Sequence, residues 1–586
     1  MSLREPARRT GGCKKPPGSS IELPAAPHCT AQMGSLISCY VGLYNVLRAL
    51  SISLSNHRGG ILCGRSNLLA YPGARCPRSQ ENREHVPSNG DQERTHRETT
   101  LQAPDLCYTS GAMQAPRIAY CSPVNPAPSG ISDYSEELLP YLGQYAEIVL
   151  FVEDGLRPTN PRLAQHLEVL PLRRLPRELR RRRYHALVYH MGNSPAHGAI
   201  WDAARRLPGV VVLHDFVLHH FMLWYAASRL RDVQSYVRAM EARYGAPGAH
   251  MAQLMIRSRF TDAAFDFPCC EPVLESAHGL IAHSRYVVEG AAALRPDLPM
   301  AVVPMGVPLP HMPSREEARA RLGLPPEAVV LASFGHINAW KRVEPTLRAL
   351  AALRAEGHDA RYLLVGSVSP NYDLAGLISR SGLSDAVTVT GYVPRAAFEA
   401  YVAAADICVN LRHPTGGETS ASLLRLLGAG RPTLVSAVGA FAELPPGVAA
   451  QVDPGPAEGD QVLAYCRLLL ARPEVAAALG ARARAYVAAE HTLERAAAGY
   501  ARFLARLYGW PVVRAIRPAP LWSPHPREEE PVIPATARPL PLAAPAPPAT
   551  ATSLIAGAGR ALAEIGLSEE DTGALMSVAR RIAELT

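Results

Sequence analysis

Residues 329–350 read VVLASFGHINAWKRVEPTLRAL. An apolar, β-branched run from Val329 to Phe334 breaks at Gly335, and a polar stretch then carries Lys341 and Arg342. Val343, Leu347 and Leu350 follow at helical spacing. This is one strand–loop–helix unit, and its strand recurs along the chain. Before it come RIAYCS (117–122), AEIVLFV (146–152), HALVYHMG (185–192), GVVVLHD (209–215), GLIAHS (279–284) and AVVPMG (301–306). After it come RYLLVGS (361–367), AVTVTGYV (386–393), DICVNL (406–411), PTLVSAV (432–438) and VAAQVD (448–453). Near-continuous apolar runs spaced by amphipathic helices are the pattern of strands buried on both faces of a parallel sheet. Two sets of about six such units predict an α/β protein with two doubly wound, Rossmann-like domains facing a cleft.

The proline-rich, aperiodic stretch VPMGVPLPHMPS (303–314) marks the seam. The expected organisation is therefore a leader over 1–112, a first domain over 113–308 and a second over 309–490. A helix over 491–510 closes the second domain or crosses back to the first. Twelve of the residues from Pro511 to Pro548 are proline, so 511–550 reads as an extended linker without a core of its own. Residues 551–586 read as a helical tail, with Ser568 as N-cap and Leu575, Val578, Ile582 and Leu585 in one stripe.

The leader differs in character from the rest. It is polar and irregular, its one apolar run (34–54) carries Asn45 and Arg48, and Met113 stands directly before the first strong strand. It is expected to be disordered, or an artefact of start-site choice. Six of eleven cysteines fall in it, and none of the eleven is spaced CxxC, so neither zinc nor a disulfide framework is expected and a reducing, cytoplasmic setting is. A net charge of +8 over 586 residues does not call for nucleic acid.

In doubly wound sheets ligands bind beyond the carboxyl ends of the strands, so the loops after strands are the ones to read. After the first strand, Ser129 and Gly130 lead into a helix; a glycine there lets a backbone approach a ligand, as it would also serve a plain turn. After GVVVLHD, His214 and Asp215 stand at the strand end, where a histidine can donate to a sugar hydroxyl or simply pack under a loop. The spacing HDFVLHH lacks the glutamate of a zinc motif, and no metal site is expected. Lys341 and Arg342 lie at a helix start, an unfavourable place for cations unless an anion joins them, as a diphosphate would. In HPTGGETSASLLRLLGAGRP (413–432), Gly416 and Gly417 free the backbone, Glu418 can accept from sugar or ribose hydroxyls, and Thr419 or Ser420 caps a helix whose N–H groups suit phosphate. Arg425 sits among leucines on that helix, either reaching the diphosphate or extending its head to solvent.

Taken in order, PSGISDYS, HDFVLHH, IAHSRYV, VVPMGV, FGHINAWKR, VTVTGYVP and GETSASLLRLLGAGRPTLVSAVGAFAELP resemble glycosyltransferase family 4, the retaining GT-B enzymes, over about two-thirds of the chain. The resemblance implies a nucleotide-diphosphate sugar as donor substrate, no cofactor and no catalytic metal. Lys341 matches the family's diphosphate lysine, and His336 stands where an arginine is usual. His214 matches the histidine that faces the donor sugar. Of the family's two glutamates, Glu418 is one position off the first, and Arg425 replaces the second, leaving the ribose contact unassigned. The resemblance thus implies catalytic roles for His214 and Glu418, with Gly130, His336, Lys341, Arg342, Gly417, Thr419, Ser420 and Arg425 on the donor.

The acceptor expected is a glycan, a lipid-linked glycan or another hydroxyl compound, in surface polysaccharide or glycolipid assembly. The arginine-rich run LRRLPRELRRRRY (172–184) makes peripheral contact with the anionic inner face of a membrane a further expectation, against a plain solvated surface. Three rivals stand beside transfer: a dinucleotide oxidoreductase, against which no GxGxxG follows the strand RIAYCS; a sugar-nucleotide epimerase of the same architecture; and a degenerate scaffold acting through its proline-rich segment and tail.

Overall fold

All twelve apolar runs form strands, and every strand pairing is parallel. A computed structural model describes residues 115–259, 261–510 and 515–523. The leader, most of the proline-rich segment and the tail helix lie outside the described residues. The first sheet comprises β1 (Arg117–Cys121), β2 (Glu147–Val152), β3 (Glu168–Pro171), β4 (Ala186–Met191), β5 (Val210–Leu213), β6 (Gly279–Ala282) and β7 (Met300–Val302), in the order β3-β2-β1-β4-β5-β6-β7. The second comprises β8 (Val329–Phe334), β9 (Ala360–Val365), β10 (Val387–Gly391), β11 (Ile407–Asn410), β12 (Thr433–Ser436) and β13 (Ala450–Val452), in the order β10-β9-β8-β11-β12-β13. The strand β3 was not legible in the sequence; it is an edge strand, with an exposed Glu168 and a terminal Pro171.

Both sheets are covered on both faces. Along β1, Ile118 and Tyr120 enter one hydrophobic cluster while Ala119 and Cys121 enter another, so alternation of side chains feeds two cores from one strand. Each large side chain buried this way contributes about 1.5–3 kcal/mol. The five cysteines among the described residues (Cys121, Cys269, Cys270, Cys408 and Cys466) are free and buried, as small apolar side chains within these layers.

The helices that bear on the site are α1 (Gly130–Leu142), α2 (Arg285–Leu294), α3 (Val343–Ala355), α4 (Ala421–Gly428), α5 (Glu458–Ala471) and α6 (Leu493–Tyr508). Each of α1, α2, α4 and α6 begins on a Ser or Thr whose hydroxyl accepts from the first turn, at Ser129, Ser284, Ser420 and Thr492. The last of them, α6, crosses back to the first sheet. The Tyr134 hydroxyl on α1 donates to that of Tyr500 on α6 at 3.3 Å, and Phe503 and Leu504 join the core beneath β1. Residues 303–314 contain no strand or helix, and the chain passes a second time between the halves at His491, whose Nδ1 faces the Met305 carbonyl at 2.8 Å.

The start of the proline-rich segment departs from the expected coreless linker. The Leu521 amide donates to the Pro140 carbonyl at 3.0 Å, and the ring of Trp522, only 8% exposed, stacks on His166. Leu521 and Trp522, with hydrogen bonds from Ile516 N and Arg517 N to the Gln144 carbonyl, lay this strap on the first half despite the surrounding prolines. Among the described residues no helix is long and apolar enough to cross a membrane.

Candidate active site

In each sheet the strand order reverses beside the first strand, at β1/β4 and at β8/β11. That is where a crevice opens beyond the strand ends. In the second half, β8 ends at Gly335, with φ +98°. Gly366 after β9 has φ +150°, and a Cβ there would fall 1.9 Å from the Gly335 carbonyl oxygen, so only glycine fits. The chain then turns through residues 339–341 into α3 and brings Lys341 back over β8. Its ammonium donates to the Phe334 carbonyl at 3.0 Å. A Cβ built on Gly335 would lie 3.5 Å from Lys341 Nζ and 3.7 Å from Ser422 Oγ, so the lysine and the first turn of α4 converge over the glycine. Ser420 caps that helix, accepting from Leu423 N at 3.2 Å. The first-turn amides of any helix lack carbonyl partners within it. Burial, aided by the Arg412 charge, holds the Lys341 ammonium well below its ordinary pKa, against the opposing pull of Glu418.

The loop after β11 supplies the acidic group. Glu418 forms an ion pair with Arg412 and accepts from Thr415 Oγ1 at 3.0 Å, while Gly417 N donates to the same hydroxyl at 3.0 Å. This loop reaches the other half: Phe216 N and Val217 N donate to the Gly416 carbonyl at 2.7 and 2.9 Å. Gly417 has φ +82°, and a Cβ on it would lie 2.7 Å from Phe216 Cβ. The ring of Trp340, on the second half, lies 5.1 Å from His220 and 5.3 Å from Phe265 of the first.

On the first half, His214 follows β5, its amide donating to the Met191 carbonyl at 2.9 Å. Its Nε2 lies 2.9 Å from His190 Nδ1, and its ring meets Tyr134 and His283. Burial pushes the His214 imidazole well below its ordinary pKa, and neighbouring histidines add to the shift, so the ring is neutral. Asp215 accepts from Asn193 N at 2.8 Å; burial and the facing Glu418 raise its carboxyl to about 7. Gly130 opens α1 with nothing within 4 Å of where a Cβ would stand.

Two cations lie elsewhere than the sequence placed them. Arg342 does not stand beside Lys341 as a second diphosphate group: its guanidinium donates to Glu458 through Nε at 2.9 Å and Nη2 at 2.5 Å. Glu458, wholly buried at the start of α5, needs that counter-charge. Arg425 neither turns to solvent nor stands free for a phosphate. Its Nη2 donates to both carboxylate oxygens of Glu137 on α1, at 2.6 and 2.9 Å, and Arg395 donates to Glu137 at 2.9 Å. His336 is exposed, with Nδ1 2.9 Å from Ser367 Oγ, and Thr419 Oγ1 is buried without a partner. Sequence reading did not single out Glu137, Arg412 or Ser422. Arg412 stands one residue before the glycine-rich stretch 413–432, and Ser422 lies within it but carries no signal apart from the neighbouring cap; nothing local marks Glu137. Among the described residues no three of His, Cys, Asp or Glu are grouped to hold a metal ion.

The family match falls on the second half of the site. Residues 328–468 match the family of glycosyl transferases group 1. That stretch contains Lys341, the loop of Glu418 and helix α4. The chain is 39% identical over 79 residues to the alpha-D-kanosaminyltransferase of Streptomyces kanamyceticus, covering 14% of this chain and 20% of that protein. It is 26% identical over 134 residues to the 2-deoxystreptamine glucosyltransferase of the same organism, 22% of this chain and 33% of that protein. The chain thus matches a third or less of the length of these curated relatives. Among solved structures, the sucrose-phosphate synthase of Thermosynechococcus elongatus overlaps 67% of this chain and 99% of its own, at 18% identity and a TM-score of 0.49. The group 1 domain therefore coincides with the second sheet, whose loops carry the cationic part of the site.

Proposed function

We propose that the chain is a retaining glycosyltransferase that moves a sugar from a nucleoside-diphosphate donor to a hydroxyl of a glycan, lipid-linked or other acceptor. The observation that carries this reading is the convergence of Lys341 Nζ, Ser422 Oγ and the capped start of α4 over Gly335, with Glu418 and Arg412 of the neighbouring loop acting electrostatically on Asp215 of the first half. As the bond from the anomeric carbon to phosphate oxygen breaks, negative charge grows on the diphosphate. An ammonium and helix amides fixed beforehand stabilise that charge without reorganising. The acceptor oxygen forms its bond on the face the diphosphate leaves, and its proton passes to the departing phosphate oxygen. No resident metal takes part in this scheme. Glu418, oriented by Arg412 and Thr415, receives a hydroxyl of the donor.

The buried lysine makes a specific demand. Burial opposes its charge, and a diphosphate beside it offsets that penalty, so ammonium and anion stabilise each other. Calorimetric titration with uridine, guanosine, adenosine and thymidine diphosphates tests this: one base binds best. Absence of binding to all four removes the reading in favour of a scaffold. Release of a free epimerised sugar instead of a glycoside makes the protein an epimerase.

The acceptor side is read as the first half. There Arg173, Arg174, Arg177, Arg180, Arg181 and Arg183 are exposed around the short helix Leu175–Arg181, whose Leu172 and Leu175 face inward. Such a surface suits the anionic cytoplasmic face of a membrane carrying a lipid-linked acceptor in surface polysaccharide or glycolipid assembly. Co-sedimentation with phosphatidylglycerol vesicles at low but not high salt is the expected result; equal binding to neutral vesicles rules it out.

A further inference from the structure

Behind His214 lies a buried histidine that the transfer reading leaves without a task. His190, on β4, has no exposure, sits 4.5 Å from the Tyr120 ring and stacks on Tyr500, while its Nδ1 meets His214 Nε2 at 2.9 Å. Burial holds both imidazoles neutral, so this contact contains a single proton. Two arrangements satisfy it. If His214 donates, the N–H left over is His190 Nε2, enclosed by tyrosine rings and without a partner. If His190 donates, the N–H left over is His214 Nδ1, also without a protein partner but on a residue at the carboxyl end of β5 that keeps 5% exposure.

The two differ in what a ligand can mend. An orphan N–H in the interior costs about 1–3 kcal/mol permanently, whereas a bare ring nitrogen among aromatic rings is the milder defect. An N–H on a residue at the carboxyl end of a strand, where ligands of doubly wound folds bind, can be satisfied by substrate. The surrounding histidines follow one pattern. His197 Nδ1 faces the His190 carbonyl at 2.9 Å, His283 Nδ1 faces Val303 O at 2.8 Å, and His491 Nδ1 faces Met305 O at 2.8 Å, so each carries its proton on Nδ1.

We propose that His190 is a positioning residue: its Nδ1–H donates to His214 Nε2, fixes His214 as the Nδ1–H tautomer, and so presents the donor sugar with a hydrogen-bond donor. The part concerning sugar rests on the transferase reading; the tautomer does not.

The test uses the full chain labelled with 15N-histidine, with His214 signals assigned by their loss in His214→Asn. Long-range proton–nitrogen spectra of the wild type show a protonated Nδ1 and a bare Nε2 on His214. His190→Asn, which keeps an amide N–H in place of Nδ1, preserves that pattern and turnover within about threefold. His190→Leu, which offers no donor, shifts His214 toward the Nε2–H form and lowers kcat by roughly 10–100-fold with KM for the donor little changed. A bare Nδ1 on His214 in the wild type overturns the proposal, as does an unaltered tautomer in His190→Leu. Should the leucine variant fail to fold, the wild-type and asparagine spectra still decide. Should no nucleotide sugar be turned over, the transferase reading falls while the spectra stand.

Discussion

At the end of β5 the first half meets the crevice with neutral, aromatic chemistry: His214 among Tyr134, His190 and His283. At the ends of β8 and β11 the second half meets it with charge, in Lys341, Arg412 and Glu418. The same doubly wound plan therefore serves two purposes. On the proposed reading the charged edge holds the diphosphate, and the histidines of the other edge orient hydroxyls beside Asp215. Between them run reciprocal contacts. The first half offers Glu137 to Arg395 and Arg425, and the second offers Glu443 to the amides of Arg285 and Tyr286 at the start of α2.

The division can be broken most severely at Lys341. Lys341→Ala should lower kcat/KM by about 10²–10³-fold in a donor-hydrolysis or transfer assay, with unchanged circular dichroism. Retained activity would show that the charged edge does not hold the diphosphate. Next in size, Gly366→Ala should destabilise the second half by about 3 kcal/mol or more, because its Cβ collides with the Gly335 carbonyl; denaturant unfolding reads this. Glu137→Ala leaves Arg425 and Arg395 without their shared carboxylate and should cost about 1–3 kcal/mol. It should also enlarge the radius of gyration in X-ray scattering, and an unchanged radius would mean the other contacts suffice to keep the halves together.

The smallest effect sharpens the comparison by pH. Asp215 binds its proton more tightly folded than unfolded, so it favours the fold at low pH, and that contribution is lost as pH rises from about 4 to 7. Asp215→Asn should therefore raise the melting temperature at pH 8 by a few degrees and leave it nearly unchanged at pH 4, in paired thermal scans. An equal shift at both values would exclude titration of Asp215 as the cause.

Much of this was legible in the sequence because it is local. Short apolar runs sit between helices, so every strand but β3, and their order of appearance, follow from the sequence pattern. Lys341, Glu418 and Ser420 lie in loops after strands, where the plan itself puts ligands. What could not be read is pairing at a distance. Arg342 is committed to Glu458, 116 residues on, and Arg425 to Glu137, 288 residues back; a charge's partner has no local signature. Trp522 packs against the first half although prolines around it speak for an extended segment. The tautomer of His214 depends on a side chain one strand over.

The return of α6 to the first sheet has a consequence for how the protein is made. During synthesis the first half leaves the ribosome with the face of α1 bare, because the helix that covers Tyr134 is among the last described elements to be translated. At about 5–20 residues per second that interval lasts roughly 10–40 s. Over this time the nascent chain displays apolar surface on α1 that its own distant end later covers.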